Sequence, residues 1–171
     1  MAVIEFLHRI LLAATLVALG LAAPAFAADA GQKAPEFELP ARQGALRLAD
    51  YRGKTVYLDF WASWCGPCRQ SFPWLNDMQA RYGSKGLRVI GINVDQNSEE
   101  AQAFLRQRPA SFEIAFDDSG KVPRAYAIKG MPTSVLIGPN GRVISVHNGF
   151  RNDYRQERER EIRRSLNIEG E

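Results

Sequence analysis

The sequence predicts an α/β domain behind an N-terminal export leader. Three observations predict it. Past the leader, stretches with the two-residue alternation of strands take turns with stretches that have the spacing of helices. One of the strand stretches, Leu87 to Val94, is almost continuously apolar, as expected of a strand covered on both faces. No repeat, low-complexity tract or linker interrupts residues 28–171, which have the size of one domain. The chain is 46% hydrophobic and 24% charged, an ordinary globular composition with enough apolar material for a core. The net charge of +3 comes from mixed signs and suggests no nucleic-acid surface.

The elements follow in order. Ala34 to Leu48 carries alternating apolar positions (Phe37, Leu39, then Leu46, Leu48) around Gly44, the pattern of a short hairpin. Lys54 to Phe60 reads as a strand, with Val56, Leu58 and Phe60 on one side and Tyr57 and Asp59 on the other. A helix follows Cys65 and Cys68 to about Tyr82. It has Phe72, Leu75, Met78 and Gln79 at helical spacing and Gly83 as its stop. Ser98 is placed to cap a second helix, with Glu99 and Glu100 in its first turn and Ala103 and Phe104 on its inner face. Phe112 to Phe116 is a short strand and Val122 to Ala127 a short helix. Gly138-Pro139-Asn140-Gly141 is a turn between the strands Thr133 to Ile137 and Arg142 to His147. A last helix starts at Asn152 or Asp153 and runs from Tyr154 to Leu166, with Tyr154, Ile162 and Leu166 as a narrow apolar stripe. Its glutamates precede arginines by three or four residues, the pattern of a solvated, ion-paired helix surface.

The chemistry lies in Trp64-Cys65-Gly66-Pro67-Cys68, which holds the only two cysteines. Two cysteines three apart share a face when the second lies in the first turn of a helix. Near a helix start, free N–H groups and the positive end of the dipole favour the thiolate of Cys65. A thiolate attacks disulfides, so the pair points to thiol–disulfide exchange. A structural disulfide across so short a loop would restrain the unfolded chain little. Reactivity explains the pair better than stability does.

The leader says where the chemistry happens. Arg9 precedes an apolar run, Ile10 to Ala23, followed by Pro24 and Ala25-Phe26-Ala27. A positive flank, a short apolar run and an A-x-A site describe a secretory signal peptide cleaved after Ala27. A retained membrane anchor is the alternative, but a spanning helix needs roughly 17–25 residues. The expected location is the periplasm, with membrane contact only through the leader if it stays attached.

Phe60 to Cys68, entered from the strand Val56-Tyr57-Leu58-Asp59, resembles the active-site segment of the thioredoxin superfamily. Pro73, in the helix after the cysteines, stands where thioredoxins have a kinking proline. Gly130-Met131-Pro132-Thr133 resembles the family's cis-proline loop. The hairpin at Ala34-Pro35-Glu36-Phe37-Glu38-Leu39, the extra helix–strand unit from Ser98 to Phe116 and the leader resemble the TlpA/ResA-like branch. The resemblance implies a thioredoxin-like fold: a central mixed sheet flanked by helices, with an N-terminal hairpin and a helix–strand insertion.

It also implies roles. Cys65, at an exposed helix start, would attack the substrate, and Cys68, one turn deeper, would resolve the mixed disulfide. Asp59, placed where thioredoxins carry a buried aspartate, would take the Cys68 proton if buried, since burial raises a carboxyl pKa toward the useful range. A solvated strand aspartate is the alternative. Thioredoxins pair that aspartate with a strand lysine, and Val89-Ile90-Gly91-Ile92 has none, so Asp59 is expected to lack its usual cationic neighbour. Trp64, Gly66, Pro67, Met131 and Pro132 would form the substrate surface, with Pro132 cis and the Met131 backbone free to pair with an extended segment. Trp61 reads as core.

The resemblance implies no cofactor beyond the redox-active cysteine pair, and no metal site. Its partners would be oxidised cysteine-containing exported proteins, apocytochrome c among the candidates, and a membrane electron donor of the thiol–disulfide relay type. Ser71 stands where many ResA-like proteins have a glutamate, which weakens the link to cytochrome c maturation in particular. Gly66-Pro67 matches reducing thioredoxins, near about −270 mV, rather than the periplasmic oxidant near about −120 mV. A thiol oxidant or isomerase is the closest alternative. A peroxidase of the peroxiredoxin type lacks its Pro-x-x-x-Thr-x-x-Cys segment here. A copper(I) carrier suits two thiolates, but after the leader only His147 remains, and it reads as a structural residue.

Overall fold

A computed structural model describes residues 29–168; the expected leader and its cleavage site lie outside them. Seven strands and four helices follow in order: β1 (Glu38–Pro40), β2 (Ala45–Arg47), β3 (Thr55–Trp61), α1 (Cys68–Tyr82), β4 (Leu87–Asn93), α2 (Ser98–Gln107), β5 (Glu113–Phe116), α3 (Lys121–Ala125), β6 (Thr133–Ile137), β7 (Val143–Asn148) and α4 (Arg155–Ser165). β1 and β2 form the expected hairpin, with Leu39 opposite Leu46. The other five strands make one mixed sheet in the order β5-β4-β3-β6-β7. β3, β4 and β5 are parallel, while β6 and β7 run antiparallel to their neighbours.

The parallel half dictates where the helices lie. Each step from β3 to β4 to β5 moves the same way across the sheet, and right-handed crossovers then put α1 and α2 on one face. Strand alternation sorts β3 between two cores. Tyr57 and Trp61 join Cys65, Cys68, Phe72, Trp74 and Leu75 of α1, Phe104 of α2 and Ile162 of α4 in one buried cluster. Val56, Leu58 and Phe60 join Leu39, Leu46, Val122 and Tyr126 in the other, beneath the hairpin and α3. Trp61, read as core, is fully buried, edge-on to Phe72 with ring centres 5.0 Å apart.

Several boundaries differ for local reasons. The cap of α2 is Asn97, not Ser98, because the Asn97 side chain accepts the Glu99 N–H at 2.9 Å. α3 ends at Ala125, short of the expected Ala127, which sits at φ 52°, outside the helical region. The last helix opens with a 3-10 turn over Asn152–Tyr154 before α4 begins.

The larger correction concerns α4, which is only in part a solvated face of paired charges. Glu159 binds Arg81 (2.6 Å) and the Tyr82 hydroxyl (2.5 Å) on α1. Glu161 accepts from Ser145 (2.6 Å) and pairs with His147 (2.7 Å), both on β7. Arg158 is buried, 3% exposed. Arg158 and Glu161 turn inward because the sheet beneath presents hydroxyls and an imidazole that need partners, while Gln156, Glu157, Arg160 and Arg164 stay exposed. Among the described residues no helix is long and apolar enough to cross a membrane.

Candidate active site

The site forms where β3 ends and α1 begins. Trp61 and Ala62 are anchored in the core, and the chain then turns through Ser63 to Pro67 before Cys68 opens the helix. Asp95, just past the end of β4, fixes this turn. Its carboxylate accepts the Ser63 N–H at 2.9 Å and 3.2 Å, the Ser63 hydroxyl at 3.2 Å and the Asn93 amide at 2.8 Å. Sequence reasoning missed this residue; an acid two positions past a buried strand is a common pattern with no signal of its own.

Cys65 and Cys68 are joined by a disulfide, their Cα atoms 5.3 Å apart. The N–H of Cys68, the first residue of α1 and therefore one without a partner inside the helix, donates to Cys65 Sγ at 3.2 Å. The same N–H would stabilise a thiolate on Cys65 when the bond is open. Cys65 is less exposed than expected, at 3%, because its sulfur is bonded to Cys68 and both lie against the apolar cluster. Cys68 is at 0%, so the expected order of access holds. Gly66 and Pro67 are exposed between them, and Trp64 projects outward at 67%. Beside Trp64 lies an open groove of about 330 Å³, lined by Ser63 and Arg69 and, from α2, by Glu100, Phe104 and Gln107. Ser71 is buried and donates back to the Cys68 carbonyl at 3.1 Å.

The Met131–Pro132 peptide is cis. Pro132 is buried, and Met131 packs half-buried against both apolar clusters, the first of which holds the two cysteines. Thr133 closes this loop by donating to the Gly130 carbonyl at 2.7 Å. Among the described residues, no backbone hydrogen bond involves Met131.

Asp59 is not the solvated residue of the alternative reading. It is 1% exposed, on the face of β3 shared with Tyr57 and Trp61, the face that Cys68 and α1 cover. Burial pushes its carboxyl up to about 8, and the charge of Arg158 pulls it partly back. As expected, the strand beside Asp59 supplies no lysine, Gly91 being the residue in register; a cation comes from α4 instead, in Arg158.

This geometry has close relatives. The AhpC/TSA family model matches residues 30–146. The thiol-disulfide oxidoreductase ResA of Bacillus thuringiensis subsp. konkukian is 33% identical over 122 residues, 71% of this chain and 70% of that protein. ResA of Bacillus subtilis is 32% identical over 120 residues, 70% of this chain and 67% of that one. A crystal structure from Chlorobium tepidum, assigned provisionally as the thiol:disulfide interchange protein DsbE, is 53% identical. It superposes with a TM-score of 0.80, covering 81% of this chain and 98% of that one.

The chain belongs to the AhpC/TSA family. Within it, the thioredoxin-like fold, the paired cysteines and the ResA and DsbE relatives make it a thiol-disulfide oxidoreductase of the TlpA/ResA-like kind. The structure brings Cys65, Cys68 and Trp64 together at one end of the sheet, with Asp59 buried behind them. His147 of β7 is held by Glu161 of α4.

Proposed function

We propose that this oxidoreductase works as a reductant, opening disulfides in selected exported proteins through a cycle of Cys65 and Cys68. The exchange cycle is carried by the Cys68 N–H aimed at Cys65 Sγ at the head of α1, beside the exposed Trp64, and the reducing direction rests on Gly66-Pro67 between the cysteines. Cys65 thiolate attacks a substrate disulfide, forming a mixed disulfide and expelling one substrate thiolate. Cys68 then gives its proton to Asp59 and attacks Cys65 Sγ. The Cys65–Cys68 bond forms, the bond to substrate breaks, and the second substrate sulfur leaves as a thiolate that takes up a proton. Two electrons have passed from the enzyme dithiol to the substrate. The Met131 backbone and the Trp64 rim offer a place for an extended substrate segment.

A reductant in an oxidising compartment must be recharged by a dithiol donor, which for an exported protein means a membrane relay drawing on the cytoplasm. Periplasmic placement rests on the leader pattern, and apocytochrome c remains one candidate among exported thiol proteins. Replacing Cys65 with serine should abolish insulin reduction, and retained turnover would overturn the cycle. Replacing Cys68 should trap mixed disulfides whose partners mass spectrometry identifies. The reduction potential of the couple decides direction. A value near about −270 mV fits a reductant, and one well above about −180 mV makes the protein an oxidant or isomerase.

A further inference from the structure

Asp59 sits in a closed setting whose every side has an identified group. On its own strand is Tyr57, whose hydroxyl donates to Ser134 Oγ at 2.8 Å. Ser134 of β6 is the residue directly opposite Asp59 in the antiparallel register. On β4 the residue in register is Gly91, which offers no side chain. A Cβ there would lie 3.0–3.1 Å from Ile114, Phe112 and the Trp61 ring, so the space a β4 cation would need is already filled. From α1 comes the Cys68 end of the apolar cluster. The remaining approach is from α4, and it brings Arg158.

Arg158 is built into this position. One guanidinium nitrogen donates to the Gly149 carbonyl at 2.7 Å, and the other reaches Ser134 Oγ at 3.4 Å. The guanidinium lies over the rings of Phe150 (5.4 Å) and Tyr154 (5.5 Å). Asp59 Oδ2 and Arg158 Nε, of opposite charge, are both buried without a hydrogen-bond partner, as is Trp61 Nε1 beside Gly91. Ser134 touches the cation and stands in register with the acid, so the two charges are coupled through space without forming a direct ion pair. A direct pair would hold the carboxyl permanently ionised and useless as a proton acceptor with a matched pKa. A buried acid with no cation would stay protonated well into alkaline pH.

We propose that Arg158 is a positioning residue for proton transfer: its buried charge, held one residue away from Asp59 by Ser134 and Gly149, sets the pH range in which Asp59 can take the Cys68 proton. This rests on the cycle proposed above and on Asp59 as its proton acceptor. Burial and Arg158 act on the carboxyl in opposite senses, burial being the larger. Tyr57, itself pushed up to about 12, stays neutral through that range and acts as a hydroxyl only. Because Asp59 and Cys68 share one proton in the step, the midpoint belongs to the pair.

The test follows the resolving step alone. Reduced protein reacts with 5,5′-dithiobis(2-nitrobenzoate): Cys65 attack releases a first thionitrobenzoate, and Cys68 attack on the resulting mixed disulfide releases the second. The rate of the second release is recorded against pH by stopped flow for wild type, Arg158→Gln, Arg158→Lys, Asp59→Asn and Asp59→Asn with Arg158→Gln. In Arg158→Gln the midpoint should rise by a unit or more, making the second release about tenfold slower at pH 7. Arg158→Lys should keep the wild-type midpoint, and in the Asp59→Asn background Arg158→Gln should change nothing further.

An unshifted midpoint in folded Arg158→Gln overturns the proposal. So does a shift that persists without Asp59, or one in Arg158→Lys as large as in Arg158→Gln. If Arg158→Gln does not fold, Arg158→Lys decides by itself: a wild-type midpoint supports the role of charge, and an upward shift overturns it. Failure of the parent reading looks different: if Asp59 is not the proton acceptor, Asp59→Asn alone keeps the wild-type rate and pH profile of the second release.

Discussion

Replacing Asp59 with asparagine should stabilise the protein, increasingly so as pH rises. In the fold the carboxyl stays protonated up to about 8, whereas its ordinary value is 3.8. Between those limits the folded state holds a proton that the unfolded chain has released, so stability falls as pH rises. The contribution is fully present below 3.8, declines through the window, and levels off above about 8. Each pH unit costs about 1.4 kcal/mol, which accumulates to about 4 kcal/mol at pH 7 and about 6 kcal/mol at pH 9. Asparagine has nearly the same shape and no proton to release, so it escapes the whole cost. Below pH 4 the wild-type acid is neutral too, and Arg158 faces an uncharged group in either protein. The two should then be equally stable. Urea unfolding of both oxidised proteins at pH 4, 5.5, 7 and 9 reads the difference directly. Curves that stay parallel across this range would refute the reasoning, because they would mean that Asp59 ionises in the fold as it does in water.

Two further substitutions test the frame around the site. Gly91→Ala would push a methyl group within 3.0–3.1 Å of the Ile114, Phe112 and Trp61 side chains, which would have to give by a few tenths of an ångström. It should cost about 1–3 kcal/mol by urea unfolding, and a loss below about 0.5 kcal/mol would mean the strand shifts freely. Asp95→Ala would strip the Ser63 N–H of its acceptor at the turn into the cysteines. A loss of about 1–3 kcal/mol is expected, together with faster hydrogen exchange at the Ser63 amide. Unchanged protection there would show that the turn is held by other contacts.

The sequence revealed what is governed by near neighbours. Alternation along β3, the helical spacing of Phe72, Leu75 and Met78, and the turn at 138–141 are local patterns, and each element appeared within a residue or two of its expected place. The cysteine pair, Trp64 and the cis bond before Pro132 were legible through motif. What escaped was α4, because a row of Glu and Arg has the same spacing whether it faces water or a polar stretch of sheet. One signal was nonetheless there. Tyr154, Arg158, Ile162 and Leu166 form a single row four residues apart, so Arg158 stands within the helix's apolar stripe. An arginine in that position must be buried with its charge and needs partners, which the sequence places far away in β6 and the loop after β7. Asp95 escaped for the same reason, its partner Ser63 being fixed only once β3 and β4 lie side by side.

Stability and turnover should therefore part company at Asp59, and that divergence separates a working acid from a merely tolerated one. A buried carboxyl that costs about 4 kcal/mol at neutral pH is a heavy load for a domain whose total stability is about 5–15 kcal/mol. Substitutions that remove it are available to the chain: asparagine fits the same space. If Asp59 serves only packing, Asp59→Asn is more stable and resolves its mixed disulfide at the wild-type rate. If Asp59 takes the Cys68 proton, the same variant is more stable but slower, most clearly near and below pH 8, where the carboxyl and thiol exchange their proton. Arg158 then falls into place as the group that limits this cost. Removing its charge should lower stability above pH 8, where the wild-type carboxyl is ionised, and leave it less affected at pH 5. A buried arginine kept only for its ring contacts with Phe150 and Tyr154 would lose the same amount at both pH values.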